Sequence, residues 1–411
     1  MKLAVIDHIG NPGGGSRVVR CLLPAMKRAR PDLEITFFGN PSSMRREEID
    51  NVAKAHGIRV EPLVSTSLAG KDLFKIRGSR HILKMFQNRI ARHFPWLPVR
   101  LSGELKRELE RKVRGFDAAF FPWPFHLECP ALDCPMIGIF HDFNFKYYFS
   151  NEVIVPWMID ALNRQMPQLL ARFTPIVSTE FMRGELAKFY PSAAAKTEVV
   201  QVAPFNDLAP INPAQIQTVM QKFNISGPYL LYPTNIRAHK NIGPLLAALS
   251  LLKKKGYPHT LVFAGYGTEV INGKSCPKGI ELTREGRDVF GLGYVTNFEI
   301  DALTQGATLI VNSSLYEGGN GPGFDAWSRG VPVAMSNIPP FLEHLETYNV
   351  RAPVFDPRSP EDIAEKIEAV LSNPRKAQED AEHSQRAIRA FTWDRVAEQY
   401  LQICDKALCN V

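Results

Sequence analysis

The chain repeats one pattern along its length: a short, unbroken apolar run, a turn, then a stretch in which apolar residues recur at helical spacing. Unbroken runs of strand length are buried on both faces, which a parallel sheet covered by helices on each side provides. In the first half such runs are Leu3–Ile9, Ile35–Phe38, Ala118–Phe121, Met136–Phe140, Ile176–Val177 and Val199–Val202, with helical spacing over Val18–Ala29. A passage rich in Pro and Asn, 203–213, interrupts the pattern. It restarts at Tyr229–Tyr232 and continues through His259–Ala264, Asp288–Leu292, Ala307–Val311, Val331–Met335 and Val354–Phe355. The expected fold class is α/β: two doubly wound domains, 1–205 and 214–385, joined by a linker at 206–213. Their strand C-terminal edges should face each other across a cleft.

Helix starts support this division. Thr296 with Glu299 has capping-box spacing, and Ser359 with Asp362 repeats it before Ile363–Leu371. A length of 411 residues, 45% hydrophobic and 22% charged, supplies core for two or three domains and excludes collagen-like, coiled-coil and mainly disordered chains. The six cysteines lack both zinc-site pairing and the density of a disulfide framework, which fits a reducing cytosol. The run at Lys2–Asp7 is too short for a signal-peptide core, and no stretch of about 20 apolar residues offers a membrane span.

Three segments carry candidate chemistry. Asn11-Pro12-Gly13-Gly14-Gly15-Ser16 lies between the first strand and its helix, where exposed amides and a helix N-terminus suit a phosphate or sugar. A flexible turn is the plain alternative, and the dinucleotide spacing GxGxxG is absent. The segment Pro233–Asn241 places Arg237 and Lys240 at the end of a strand, a pair suited to a pyrophosphate or simply a solvated basic loop. The third, Ser313–Gly330, reads as strand end, glycine-rich loop with Glu317, and a short helix carrying Asp325, with Pro322 at its start and Gly330 past its end. Acid and amide groups together can grip sugar hydroxyls. Of the remaining candidates, His8 and the aromatic run Phe120–Phe125 read more simply as core than as cleft lining.

The third segment resembles the signature of retaining GT-B glycosyltransferases of family GT4, whose two acids stand eight positions apart; here they are Glu317 and Asp325. The Gly13–Gly15 loop resembles that family's GG loop, Ile139–Asp142 its His-Asp strand end, and Lys240-Asn241 its Lys-Asn element. The resemblance implies a GT-B fold with two Rossmann-like domains and a C-terminal helix in 386–411 crossing back to the first. It implies catalytic roles for His141, Glu317 and Lys240, with Lys240 and Arg237 on the donor diphosphate and Glu317 on the donor sugar. Gly14, Gly15, Gly318, Gly319, Asn320 and Gly321 would line the donor, and Asp325 would meet the ribose. This chain departs in having Asn235 where the family's diphosphate Arg stands, Asp rather than Glu at 325, and Gly319-Asn320 for Phe-Gly. No Asp-x-Asp element occurs, so no metal or other cofactor is expected, the cations and the helix near Pro322 replacing a divalent ion.

Charge is uneven. Lys71–Gly115 holds 13 Lys or Arg against four Asp or Glu, a local +9 that exceeds the +7 of the whole chain. Ile82, Leu83, Phe86, Ile90 and Phe94 share one helical face there, giving a basic amphipathic helix suited to an anionic membrane surface or packed on its own domain. No nucleic-acid-binding motif accompanies it. The expectation is therefore a cytoplasmic, membrane-peripheral hexosyltransferase. It would move a mannosyl unit, as from GDP-mannose, to a saccharide or lipid-linked saccharide of polysaccharide or lipopolysaccharide biosynthesis. A nucleotide-sugar 2-epimerase and a non-catalytic sugar-binding subunit on the same scaffold stay open, while the missing fingerprint disfavours a nicotinamide dehydrogenase.

Overall fold

A computed structural model describes residues 1–8, 14–39, 46–63, 105–125, 128–147, 156–205, 211–272 and 288–409. They form two sheets. The first joins β1 (Lys2–Asp7), β2 (Glu34–Gly39), β3 (Arg59–Pro62), β4 (Ala118–Phe121), β5 (Met136–Ile139), β6 (Phe173–Val177) and β7 (Glu198–Val199) in the order β3-β2-β1-β4-β5-β6-β7. The second joins β8 (Tyr229–Pro233), β9 (Thr260–Ala264), β10 (Val289–Gly291), β11 (Leu309–Asn312), β12 (Val333–Ser336) and β13 (Val354–Phe355) in the order β10-β9-β8-β11-β12-β13. Every pairing is parallel, in register Leu3 with Ala118 and Leu309 with Leu230 at the two central joints.

The side-chain period of two explains the unbroken apolar runs. Leu3 and Val5 enter one core with helix Gly14–Ala29, while Ala4 and Ile6 enter the opposite core with Leu169 and Met182. In the second domain Leu231 and Val262 face one way and Leu230 and Phe263 the other. After Ile388, which packs in the second domain, the chain returns, and helix Trp393–Cys409 lies on helix Gly14–Ala29. Tyr400 meets Phe120 edge-on at 5.5 Å, and Arg30 grips Asp405 through two bonds of 2.6 and 2.8 Å. Among the described residues no helix is long and apolar enough to cross a membrane.

Three local expectations are corrected. The first helix begins at Gly14, so Gly14 and Gly15 are its opening residues and not loop, although their amides still lack intrahelical partners. The strand expected at Val199–Val202 is Glu198–Val199, because after Val200 bonds the carbonyl of Val177 the chain leaves the sheet for the second domain, where Val202 packs. Thr296 and Glu299 close a full capping box, but at Ser359 only half forms, since the Asp362 carboxylate accepts from Asp356 N at 2.6 Å instead. Strand β3 had no signal: Arg59-Val60-Glu61-Pro62 is polar because it is an edge strand, half exposed.

Candidate active site at the facing sheet edges

Strand order reverses between β1 and β4 in one sheet and between β8 and β11 in the other, where ligands of such sheets bind beyond the strand C-termini. The loops emerging at those points are the segments singled out from sequence. In the second domain the loops after β8 and β11 are tied together. Leu315 N donates to the His239 carbonyl at 2.7 Å, and the Ser313 hydroxyl donates to the Lys240 carbonyl at 3.2 Å. The buried Tyr232 hydroxyl lies within 2.8 Å of Ser314 Oγ and 3.1 Å of the Lys240 carbonyl. A 3₁₀ turn, Ala238–Lys240, ends at Asn241 with φ +55°, a left-handed conformation that Asn tolerates.

This places Lys240 Nζ 2.5 Å from Glu317 Oε1, which also accepts from Ser314 Oγ at 2.5 Å. The two side chains are 17% and 15% exposed, so the pair is largely desolvated yet reachable. Arg237 is half-buried, which pushes its pKa down against the pull of Tyr266, and no side-chain hydrogen bond or salt bridge holds its guanidinium among the described residues. A partly desolvated guanidinium in the same loop as Lys240 is chemically suited to an anion. Asn235 is exposed at the start of the same loop.

The first domain supplies the opposite wall. The His141 ring donates from Nε2 to the Pro122 carbonyl at 2.8 Å and stacks on Trp123 with centroids 4.7 Å apart. Burial lowers its pKa to about 4, against the pull of that carbonyl, so the imidazole is neutral near pH 7 with Nδ1 as an acceptor. Asp142 is raised to about 6 by burial and by Glu317, with Asn144 N and Lys240 opposing. The two walls touch at Gly318, whose carbonyl accepts from Ser178 Oγ at 2.5 Å. A Cβ on Gly318 would fall 1.7 Å from the His141 carbonyl oxygen, so only glycine allows this approach. Gly319 and Gly321 differ: a Cβ there would meet nothing within 4 Å, leaving open room beside Glu317.

Asp325, in helix Gly321–Ser328, is held bidentate by Arg17 of the first domain, at 2.6 and 2.7 Å. The Arg17 guanidinium lies 4.0 Å above the Phe205 ring. Burial disfavours its charge, but Asp325 more than compensates and its pKa is raised. Asn320 is the N-cap of that helix, accepting from Gly323 N at 3.1 Å and from Asn312 Nδ2 at 3.3 Å. Its side chain is buried and bonded inside the domain, where it shapes the loop. Among the other candidates, His8 is buried and bonded to the Phe125 carbonyl at 2.9 Å, and Phe120, Phe121 and Phe125 are core. The amphipathic residues Ile82–Phe94 and most of 71–115 lie outside the described residues, as does Gly13; of the basic segment, 105–115 is described and buries Leu105, Leu109 and Val113.

Sequence reasoning missed Arg17, Ser178, Ser314 and Tyr316. Arg17, Ser178 and Tyr316 act across contacts that the chain order does not reveal, while Ser314 meets both the local Glu317 and the distant Tyr232. Arg17, directly after the glycine loop, carried the one available signal: a cation in the first turn of a helix, where a carboxylate is favoured.

Residues 216–389 match the family model "Glycosyl transferases group 1". O-antigen chain mannosyltransferase B of Escherichia coli is 32% identical over 166 residues, 39% of this chain and 42% of the relative. The serotype-specific mannosyltransferase WbdA of the same organism is 25% identical over 194 residues, covering 44% of this chain and 22% of the relative. The matches thus span less than half of those relatives' length. The structure of Anabaena HepE in complex with UDP-glucose superposes with a TM-score of 0.67 at 17% identity, covering 100% of both chains. WaaG, a glycosyltransferase involved in lipopolysaccharide biosynthesis, superposes with a TM-score of 0.62 at 14% identity over 98% of this chain and 99% of that one. The chain has the two-domain GT-B fold of these structures, and the match to the group 1 glycosyltransferase model lies in its second domain.

Proposed function

We propose that the protein transfers a hexosyl unit, mannosyl by preference, from a nucleotide-diphosphate sugar to a saccharide or lipid-linked saccharide. The observation that carries this reading is the Lys240–Glu317 pair between the facing sheet edges, with the half-buried Arg237 in the same loop as Lys240 and open space at Gly319 and Gly321. Lys240 and Arg237 grip the diphosphate, helped by the amides opening helices Gly14–Ala29 and Gly321–Ser328. Glu317 and the amides after it hold the sugar hydroxyls. Asp325 retains two lone-pair positions beyond those used by Arg17, enough for ribose hydroxyls.

In the reaction the bond from the anomeric carbon to the phosphate oxygen breaks with its electron pair going to the diphosphate. The acceptor oxygen bonds the same face of that carbon, and its proton passes to the departing phosphate oxygen, giving retention of configuration. Neutral His141 offers Nδ1 to the sugar beside the developing positive charge. The charges of Lys240 and Arg237 serve the leaving group where a divalent ion serves other transferases. Mannosyl transfer is favoured by the names of both E. coli relatives. A cytoplasmic acceptor on a lipid would bring the protein to an anionic membrane face through its basic segment, which sedimentation with anionic vesicles at low salt tests.

A thermal-shift panel of GDP-mannose, UDP-glucose and UDP-N-acetylglucosamine tests the donor reading. A bound donor at 100 times its dissociation constant stabilises by about 2.7 kcal/mol. No shift with any nucleotide sugar overturns the reading, and formation of an epimer without acceptor replaces it by the isomerase.

A further inference from the structure

The loop carrying Glu317 belongs to the second domain, yet it is fastened to the first on both sides of that residue. On one side Tyr316 is only 6% exposed, and its ring lies in the hydrophobic core of the first domain, against Phe181 at 5.9 Å and Tyr147 at 5.4 Å. Its hydroxyl donates to Glu185 Oε2 at 3.3 Å and accepts from Phe143 N at 3.3 Å. Phe143 follows His141-Asp142 directly, so this bond joins the residue before Glu317 to the opposing strand end. On the other side Asp325 is clamped by the Arg17 fork. That clamp lies under Phe205, where the chain leaves the first domain, and Phe205 in turn packs at 5.7 Å on Trp393, where the chain returns.

We infer that Tyr316 and Arg17 are positioning residues that tie the acid loop to the opposite domain, so that Glu317 comes into register with His141 and Asp142 only when the domains are closed. The inference rests on the transferase reading of Glu317 and extends it to residues that touch no reacting atom. The donor contacts of Lys240, Arg237, Glu317 and Asp325 belong to the second domain and the first adds only the amides opening helix Gly14–Ala29 and His141, so releasing the tie lowers kcat far more than it weakens donor binding. Turnover needs the two walls together, and misplacement of reacting groups by about 1 Å costs on the order of 100-fold.

The test compares wild type with Y316F, Y316A, R17K and R17A. Hydrogen–deuterium exchange of the free protein reads the tie itself, and GDP-mannose binding and turnover read its use. In Y316A and R17A the amides of 314–320 and 142–146 should exchange at least tenfold faster, with kcat at least tenfold lower and GDP-mannose Kd within threefold of wild type. Y316F, which keeps the ring, and R17K, which keeps the charge but not the fork, should fall between, and they decide the question if the alanine variants fail to fold. Unchanged exchange at 314–320, or a loss of binding that matches the loss of turnover, overturns the proposal. Because the exchange arm uses no ligand, a wild type that consumes no donor would overturn the transferase reading while the tie is still measured.

Discussion

Replacing Lys240 by Met keeps the length of the stem and deletes its charge. Glu317 is then left with the Ser314 hydroxyl alone among its described partners. Breaking a fully buried ion pair costs about 3–5 kcal/mol, because the surviving charge is stranded. Here both side chains are about one-sixth exposed, so water relieves part of that, and a loss of roughly 2–3 kcal/mol follows. Asp142, already raised to about 6 with Lys240 holding it down, should titrate higher still. Turnover loses a fixed charge on the leaving group, and removing one such contact costs on the order of 10²–10³ in kcat. The double variant K240M/E317Q separates the two effects: with no stranded charge its stability should return to within about 1 kcal/mol of wild type, while activity stays absent. Urea denaturation measures the first quantity and release of nucleoside diphosphate the second. Turnover of K240M within threefold of wild type, or a double variant as unstable as K240M, refutes the reasoning.

Gly318→Ala should impair both folding and turnover, since its Cβ cannot share space with the His141 carbonyl, whereas Gly319→Ala should leave thermal stability unchanged and weaken nucleotide-sugar binding; equal effects in melting and binding assays would contradict this. Glu343 caps the first two amides of helix Glu180–Phe189 from the other domain, at 2.7 and 2.9 Å, beside the Thr179 cap on Met182 N. Glu343→Ala should lower stability by about 1 kcal/mol, read by denaturation. His344 is 2% exposed with neither ring nitrogen bonded among the described residues, and burial lowers its pKa to about 4. Its unfolded form binds a proton near 6.5, so stability falls as pH drops from 6.5 toward 4, by about 3 kcal/mol for this residue. His344→Phe should flatten that slope in pH-dependent melts; an unaltered slope would show that the ring is not the titrating group.

The apolar runs of β1, β4 and β8 were legible because burial on both faces leaves no polar position in a central strand. The edge strand β3 was not, since exposure lets Arg59 and Glu61 stand where the central strands carry Val and Leu. Lys240 and Glu317 were legible as candidates through their residue types, their place after a strand, and the resemblance they completed. Their bond was not, because 77 residues separate them and only the parallel pairing of β8 with β11 brings their loops together. Asn320 illustrates the converse. Its place in the signature suggested a ligand contact, and the structure turns it into a cap, because a helix opening at Gly321 needs its first amides satisfied.

Local chain chemistry thus determined which central segments become strands, where the capped helices begin, and which loops carry charge at strand ends, because backbone hydrogen bonding and side-chain period act within a few residues. The tertiary structure alone decided what those loops face. The ion pair of Arg17 with Asp325, the seat of Tyr316 among Phe181 and Glu185, and the contact of Gly318 with His141 span two domains. They arise from packing between surfaces far apart in the chain, whose relative placement no local pattern encodes.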